Sequence, residues 1–148
     1  MTSTSRQVEV IRVLAAVWVG VVIAGNLIAP TAKFQAPHLD LAVALEVGRA
    51  TFRWMLVPEV VLSFLLVVMG SIKRTWIPIA LLASQWLLVM PALDARTLSR
   101  INGEAVGSSS LHLLYIGLEL AKLIALAWII VVSQKGTQST KFIIDDRR

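Results

Sequence analysis

Four long apolar segments constrain this chain more than any other feature of its sequence. They cover residues 13–29, 54–70, 75–90 and 111–132. Their lengths are close to the roughly 17–25 residues that cross a hydrocarbon core about 30 Å thick. Lipid offers the backbone no hydrogen bonds, so each segment is expected to be a helix that satisfies its own N–H and C=O groups. The alternating pattern of a membrane barrel strand is not seen.

The composition points to the same class of protein. Hydrophobic residues make up 57% of the chain and charged residues 16%, and the mean hydropathy is +0.77. The chain has no cysteine, which excludes disulfides and cysteine-based metal or redox sites. A net charge of +5 would suggest nucleic acid in a soluble protein. Here the basic residues flank apolar segments, as they do at a membrane surface. The sequence therefore predicts a single-domain protein whose partner is the lipid bilayer and not nucleic acid.

The predicted architecture is an all-α bundle of four transmembrane helices. Residues 38–53 are also helix-competent, and Asp40 is able to cap a helix there. This stretch is expected to extend the second helix, which would be kinked at Pro58. The alternative is a separate amphipathic helix that lies on the membrane surface.

The distribution of basic residues predicts the orientation. Four spans place both termini on one side, and eight Lys or Arg residues fall on that side against five on the other. The positive-inside rule then places both termini in the cytoplasm, in a bacterial inner membrane. Residues 133–148 are expected to form a polar cytoplasmic tail.

Polar residues inside the fourth segment are the main functional signal. His112, Tyr115, Glu119 and Lys122 follow one another at intervals of three, four and three, which places them on one helix face. Lys122 lies about 16 Å into the span at 1.5 Å per residue, near the bilayer midplane. An ionised side chain there costs at least ~2.5–3.5 kcal/mol unless it is paired. Glu119, one turn away, is the obvious partner.

Other spans supply further polar groups that could join this stripe. Glu59 follows Pro58 in the second segment, and the first and third segments contain Asn26 and Gln85. Two carboxylates against one lysine leave one negative charge unmatched. Either Arg49 or Arg53 reaches it, or one carboxyl is protonated by desolvation. The predicted solute- or ion-binding residues are Glu59, Glu119, Lys122, His112, Tyr115, Asn26 and Gln85.

Small residues in two of the segments, and a charged stretch after the third, allow predictions about packing and loops. Gly117, Ala121 and Ala125 lie opposite the polar stripe, and Ala16, Gly20 and Ala24 form a similar run in the first segment. Small residues at this spacing let helices approach closely, so these faces are expected to pack tightly and to favour a homo-oligomer. The charged stretch after Pro91 is expected to be a solvated surface loop whose members can form salt bridges; it contains Asp94, Arg96, Arg100 and Glu104.

Three functions remain open from the residues alone. The leading one is a small membrane protein that binds or transports a small solute, ion or proton through an intramembrane polar pocket. In the second, an accessory or scaffold subunit, the Glu119–Lys122 pair only fixes helix packing, in this chain or against a partner membrane protein. The third is a membrane enzyme acting on a lipid or quinone. No catalytic motif, metal site or cofactor site is evident, so an enzyme is not favoured. Haem ligation by His38 and His112 is also disfavoured, because His38 follows Pro37 in a loop.

Short motifs in three segments resemble a known family. The first helix ends in Ala29-Pro30 followed by Phe34, a Gly48-x-x-x-Phe52-Arg53 pattern follows, and the third helix runs into Pro91–Leu93. With these motifs, residues 10–130 resemble the bacterial membrane family DUF4149 and the eukaryotic transmembrane protein 205 group. The resemblance implies a compact four-helix membrane bundle. It implies no catalytic residues.

Overall fold

The computed structural model describes residues 3–33, 35–69 and 72–145, and every regular element within them is a helix. The elements are α1 (Ser3–Ile23), a first π-helical segment (Ala24–Ile28), α2 (Ala29–Lys33), α3 (Leu41–Val68), α4 (Ile72–Ser84), a second π-helical segment (Gln85–Val89), α5 (Met90–Ile101) and α6 (Leu111–Asp145). Four stretches are long and apolar enough to cross a membrane. We call them the first to fourth spans: Ser5–Lys33, Leu41–Val68, Thr75–Ile101 and Leu111–Ser133. The predicted all-α, four-span architecture is confirmed.

The second span is one continuous helix from Leu41 to Val68. The Asp40 side chain caps it by accepting a 2.8 Å hydrogen bond from the backbone N–H of Ala42, which is otherwise without a partner at a helix start. Pro58 lies inside the helix. The predicted extension is therefore confirmed, and the alternative of a separate surface helix is wrong.

The first and third spans continue past residues 29 and 90, where the first and third apolar segments were expected to end. Pro30 and Pro91 each follow a π-helical segment by two residues. A proline lacks an N–H, and its ring clashes with the carbonyl four residues earlier. The extra residue in a π turn moves that carbonyl aside, so the helix proceeds. The prediction of a surface loop after Pro91 is wrong as far as Ile101, because this stretch is helix α5.

Apolar side chains from all four spans fill the half of the bundle that contains the start of the first span. This main core consists of Ile11, Ala15, Trp18, Val22, Leu62, Leu66, Leu82, Leu126 and Ile129. A smaller cluster of Val89, Met90 and Tyr115 lies toward the opposite end, where Phe52 packs against it. The level between the two clusters is occupied by polar side chains.

The outer surface of the bundle is apolar. Trp54 is 74% exposed and Trp128 is 69% exposed, together with many Leu, Ile and Val side chains. A large continuous apolar surface of this kind marks an interaction with lipid or protein. It suits four helices surrounded by hydrocarbon.

Gly20 and Gly117, the glycines of the two small-residue faces, do not pack within the bundle, which corrects the expectation of tight contacts at these two positions. Among the described residues outside the glycine's own turn of helix, no atom lies within 4 Å of the point where a Cβ would stand on Gly20 or Gly117. Tyr115, Glu119 and Lys122 of the polar stripe face inward, and Gly117 on the other side of the helix is exposed. Two other glycines have close neighbours instead: Gly25 lies against the side chain of Met55, and Gly48 lies against the ammonium of Lys33.

The last helix runs beyond the membrane span. Its backbone stays helical through Asp145, so most of the predicted polar tail, residues 133–148, continues this helix. Residues 146–148 and the side chains that follow Ser133 lie outside the described part.

Candidate functional site: a buried charged cluster below a cationic cavity

The Lys122 ammonium joins three of the four spans. Lys122 is fully buried, and its Nζ donates to Glu59 Oε2 at 2.5 Å, to Gln85 Oε1 at 3.0 Å and to Glu119 Oε1 at 3.1 Å. A lysine ammonium has three donors, and all three are used. The carboxylates from the second and fourth spans therefore converge on one cation in the middle of the bundle.

Local structure explains how these side chains come to face one another. Glu119 and Lys122 are one turn apart on the same helix. Asn26 and Gln85 lie in the first and second π-helical segments. A π turn inserts an extra residue and rotates the following side chains about the helix axis. Each π segment thus contributes one amide side chain to the interior.

Trp18 is a further member of the cluster, and it was not among the site residues predicted from the sequence. Its indole Nε1 donates to Glu59 Oε2 at 2.9 Å, and both residues are buried. A buried indole N–H usually needs an acceptor. Trp18 is eight residues, or about two turns, from Asn26, and this spacing could have placed it on the same face.

Hydrogen bonds connect the cluster to one end of the bundle. Asn26 Nδ2 donates to Glu119 Oε1 at 3.0 Å, and the Tyr115 hydroxyl donates to Asn26 Oδ1 at 3.3 Å. Tyr115 also lines a cavity that opens at this end. Polar groups thus lead from the cavity to Lys122 without a break.

The cluster holds two carboxylates against one ammonium. The expectation that Arg49 or Arg53 reaches them is wrong, because both pair with Asp94: Arg49 Nε lies 2.6 Å from Oδ1, and Arg53 lies 2.8 Å from Oδ2. Within the described residues, Glu119 Oε2 and Gln85 Nε2 are buried without a hydrogen-bond partner. One proton on a carboxyl would balance the charge of the cluster.

The cavity has a volume of about 460 Å³ and lies between the spans at the end where Lys33 terminates the first span. His112 lines it and is exposed, so it is placed beside the cavity and outside the charged cluster. The full lining is Pro30, Lys33, Leu45, Gly48, Arg49, Phe52, Met90, Leu93, Asp94, Arg96, Thr97, Arg100, Ser109, His112 and Tyr115.

The structure thus brings together Glu59, Glu119, Lys122, Gln85 and Asn26, and it links Tyr115 to them. Within residues 3–33, 35–69 and 72–145, no group of three or more His, Asp or Glu side chains could hold a metal ion.

Comparison with protein-family models, with curated proteins and with solved structures gives no match to this chain. Membership of the DUF4149 family therefore stays a prediction. Fold and site together define a class: a multi-pass α-helical membrane protein with a charged cluster inside its bundle.

Proposed function

We propose that this protein binds and moves a proton, or a small ion or solute that exchanges with one, through the polar interior of its bundle. The observation that carries the proposal is the unbroken set of hydrogen bonds from Lys122 through Glu119 and Asn26 to Tyr115 at the cavity. Intramembrane ionisable residues are costly, and they commonly mark ion or proton pathways.

Glu119 is the residue we assign to proton exchange. Its Oε1 accepts from Lys122 and Asn26, while its Oε2 is buried without a partner among the described residues. Glu59, in contrast, accepts from both Lys122 and Trp18 through one oxygen and lies deeper, against the main core. Protonation of Glu119 would weaken its pairing with Lys122 and leave Glu59 as the counter-ion.

In the part of the chain that the structure describes, this pathway opens at the end of the bundle that contains the cavity. The main core closes the bundle on the other side of Trp18 and Lys122. Movement across the whole bilayer therefore requires the helices to rearrange around the cluster, as alternating access does in transporters.

The test is proton entry into liposomes that contain the purified full-length chain and a trapped pH-sensitive dye. After an acid step outside, the wild type is expected to acidify the lumen faster than protein-free liposomes do. Glu119→Gln, which keeps the shape and removes the exchangeable proton, is expected to fall to the protein-free rate. Glu104→Gln, an exposed carboxylate beyond the third span, serves as the matched control and should behave as the wild type.

A scaffold function is the second candidate, and one observation favours it. All three Lys122 donors are engaged by side chains from three spans, an arrangement that also fixes helix register. This alternative predicts that the wild type, correctly folded in liposomes, passes protons no faster than the protein-free control. That result would contradict the proposed function.

A further inference from the structure

The cavity beside Tyr115 has a strongly cationic lining. Lys33, Arg49, Arg96 and Arg100 line it with one carboxylate, Asp94. Both oxygens of Asp94 are already held, Oδ1 by Arg49 and Oδ2 by Arg49 and Arg53. The carboxylate is thus neutralised within the protein, and the lining keeps an excess of positive charge.

Thr97, Ser109 and His112 add polar groups to the lining, and the rest of the wall is mainly apolar. Phe52, Met90 and Leu93 line it together with the ring of Tyr115. The Phe52 and Tyr115 rings meet edge to face, with centroids 5.5 Å apart. At about 460 Å³ the cavity falls in the range of small-molecule sites, roughly 300–1,000 Å³.

Cationic and apolar walls in one cavity select a particular chemistry. Guanidinium groups bind carboxylates and phosphates through paired N–H donors, and Arg96 has donors besides the one that bonds the Gly107 carbonyl. Basic pockets between membrane helices are a recurring type of site for anionic head groups. An apolar group attached to that head would lie on Phe52, Met90 and Leu93.

We propose that the cavity binds an amphipathic anion, a carboxylate or phosphate head with an apolar group attached, with Arg96 and Arg100 at the head. The ligand comes either from the bilayer, as an anionic lipid, or from solution. The bound anion would lie beside Tyr115, the outermost member of the hydrogen-bonded pathway. A role for the anion in proton movement rests on the proposed function.

Calorimetric titration of the full-length protein in an uncharged maltoside detergent tests the proposal, with octyl phosphate as the probe. Saturable binding is expected, with inorganic phosphate and octanol each about tenfold weaker or more, since each lacks half of the recognised chemistry. Equal affinity for octanol and octyl phosphate would overturn the proposal.

Two variants assign the binding to this cavity. Arg100→Gln, at an exposed position where substitution leaves the packing intact, is expected to weaken octyl phosphate binding about tenfold, as loss of one charge-assisted contact predicts. Arg96→Gln combined with Arg100→Gln should weaken it further. Lys73→Gln removes an exposed cation near the start of α4, away from the cavity, and should leave binding unchanged. Unchanged affinity in both arginine variants would overturn the assignment.

The source of the anion is read from the same titration in nanodiscs. If octyl phosphate binds more weakly in phosphatidylglycerol nanodiscs than in phosphatidylcholine nanodiscs, an anionic lipid head group occupies the cavity. If it binds equally in both, the anion comes from solution. Failures of the two proposals are distinguishable. Octyl phosphate binding without proton entry contradicts only the proposed function, and proton entry without saturable binding contradicts only this inference.

Discussion

Lys122 shows how a charged side chain can be kept inside a bilayer. An unpaired ammonium at this depth would carry a large desolvation cost, and removing one partner of a buried pair typically costs about 3–5 kcal/mol. Here the ammonium meets two carboxylates and an amide oxygen. The carboxylates in turn accept from Trp18 and Asn26, so neutral donors share the negative charge.

Trp18→Phe removes one of these neutral donors, together with part of a ring that fills the main core. The substitution keeps an aromatic ring in the core and removes the indole N–H that Glu59 accepts. The free energy of unfolding in detergent is expected to fall by about 1–3 kcal/mol, the usual cost of a lost hydrogen bond to a buried group. Trp54→Phe, at a site 74% exposed, should change it by less than about 0.5 kcal/mol. If both variants lower the free energy of unfolding equally, the Trp18–Glu59 hydrogen bond does not contribute to stability.

At the scale of the helices, two π-helical segments position the amide side chains of the site. Ala24–Ile28 contains Asn26, and Gln85–Val89 begins with Gln85. Each segment is followed two residues later by a proline. The prolines thus explain why the helices are wound irregularly at the level of the cluster, and the irregular turns direct the amides inward.

Gly25, in the first π segment, packs against the Met55 side chain of the second span. A Cβ at this position would collide with the Met55 side chain, whereas a Cβ on Gly20 would meet no described atom outside its own turn of helix. Gly25→Ala is therefore expected to lower the free energy of unfolding by about 1–3 kcal/mol, the usual cost of overpacking.

Gly20→Ala is the matched control, and it should leave stability unchanged or raise it slightly, because alanine favours a helix. Unfolding in detergent, followed by circular dichroism, measures both variants. If Gly20→Ala is the more damaging change, the outward small-residue face is in contact with a partner such as a second copy. The prediction that Gly25→Ala destabilises the bundle more than Gly20→Ala would then be wrong.

Over the whole molecule, the bundle is asymmetric along its axis. The main apolar core occupies one half, the cationic cavity opens at the other end, and the charged cluster lies between them. Which membrane face the cavity opens to depends on the orientation of the chain. The distribution of Lys and Arg predicts the face opposite the cytoplasm.

Single cysteines test this orientation cleanly, because the chain has none of its own. A membrane-impermeant maleimide added to intact bacterial spheroplasts is expected to label Glu104→Cys at the cavity end and not Lys73→Cys at the other. Both side chains are exposed, so both variants should react after the membrane is permeabilised. The reverse pattern of labelling would place the cavity on the cytoplasmic side.

Several residues have environments that the local sequence did not predict. The first and third apolar segments were expected to end before Pro30 and Pro91, since a proline removes a hydrogen bond, but the π segments before these prolines were not evident from local sequence. Asp94 was assigned to a loop for the same reason, although it pairs with Arg49 and Arg53 of another helix. The outward position of Gly20 and Gly117 also depends on which helices are neighbours.

The sequence alone determined four helical spans and a polar stripe on the last of them, because apolar length and helical periodicity are local properties. It also paired Glu119 with Lys122, since one turn separates them. Only the tertiary structure decided that Glu59, Gln85 and Trp18 meet at this pair. Contacts between helices depend on their rotation and height in the bundle, which are set by packing and by irregular turns and are not encoded in any one segment.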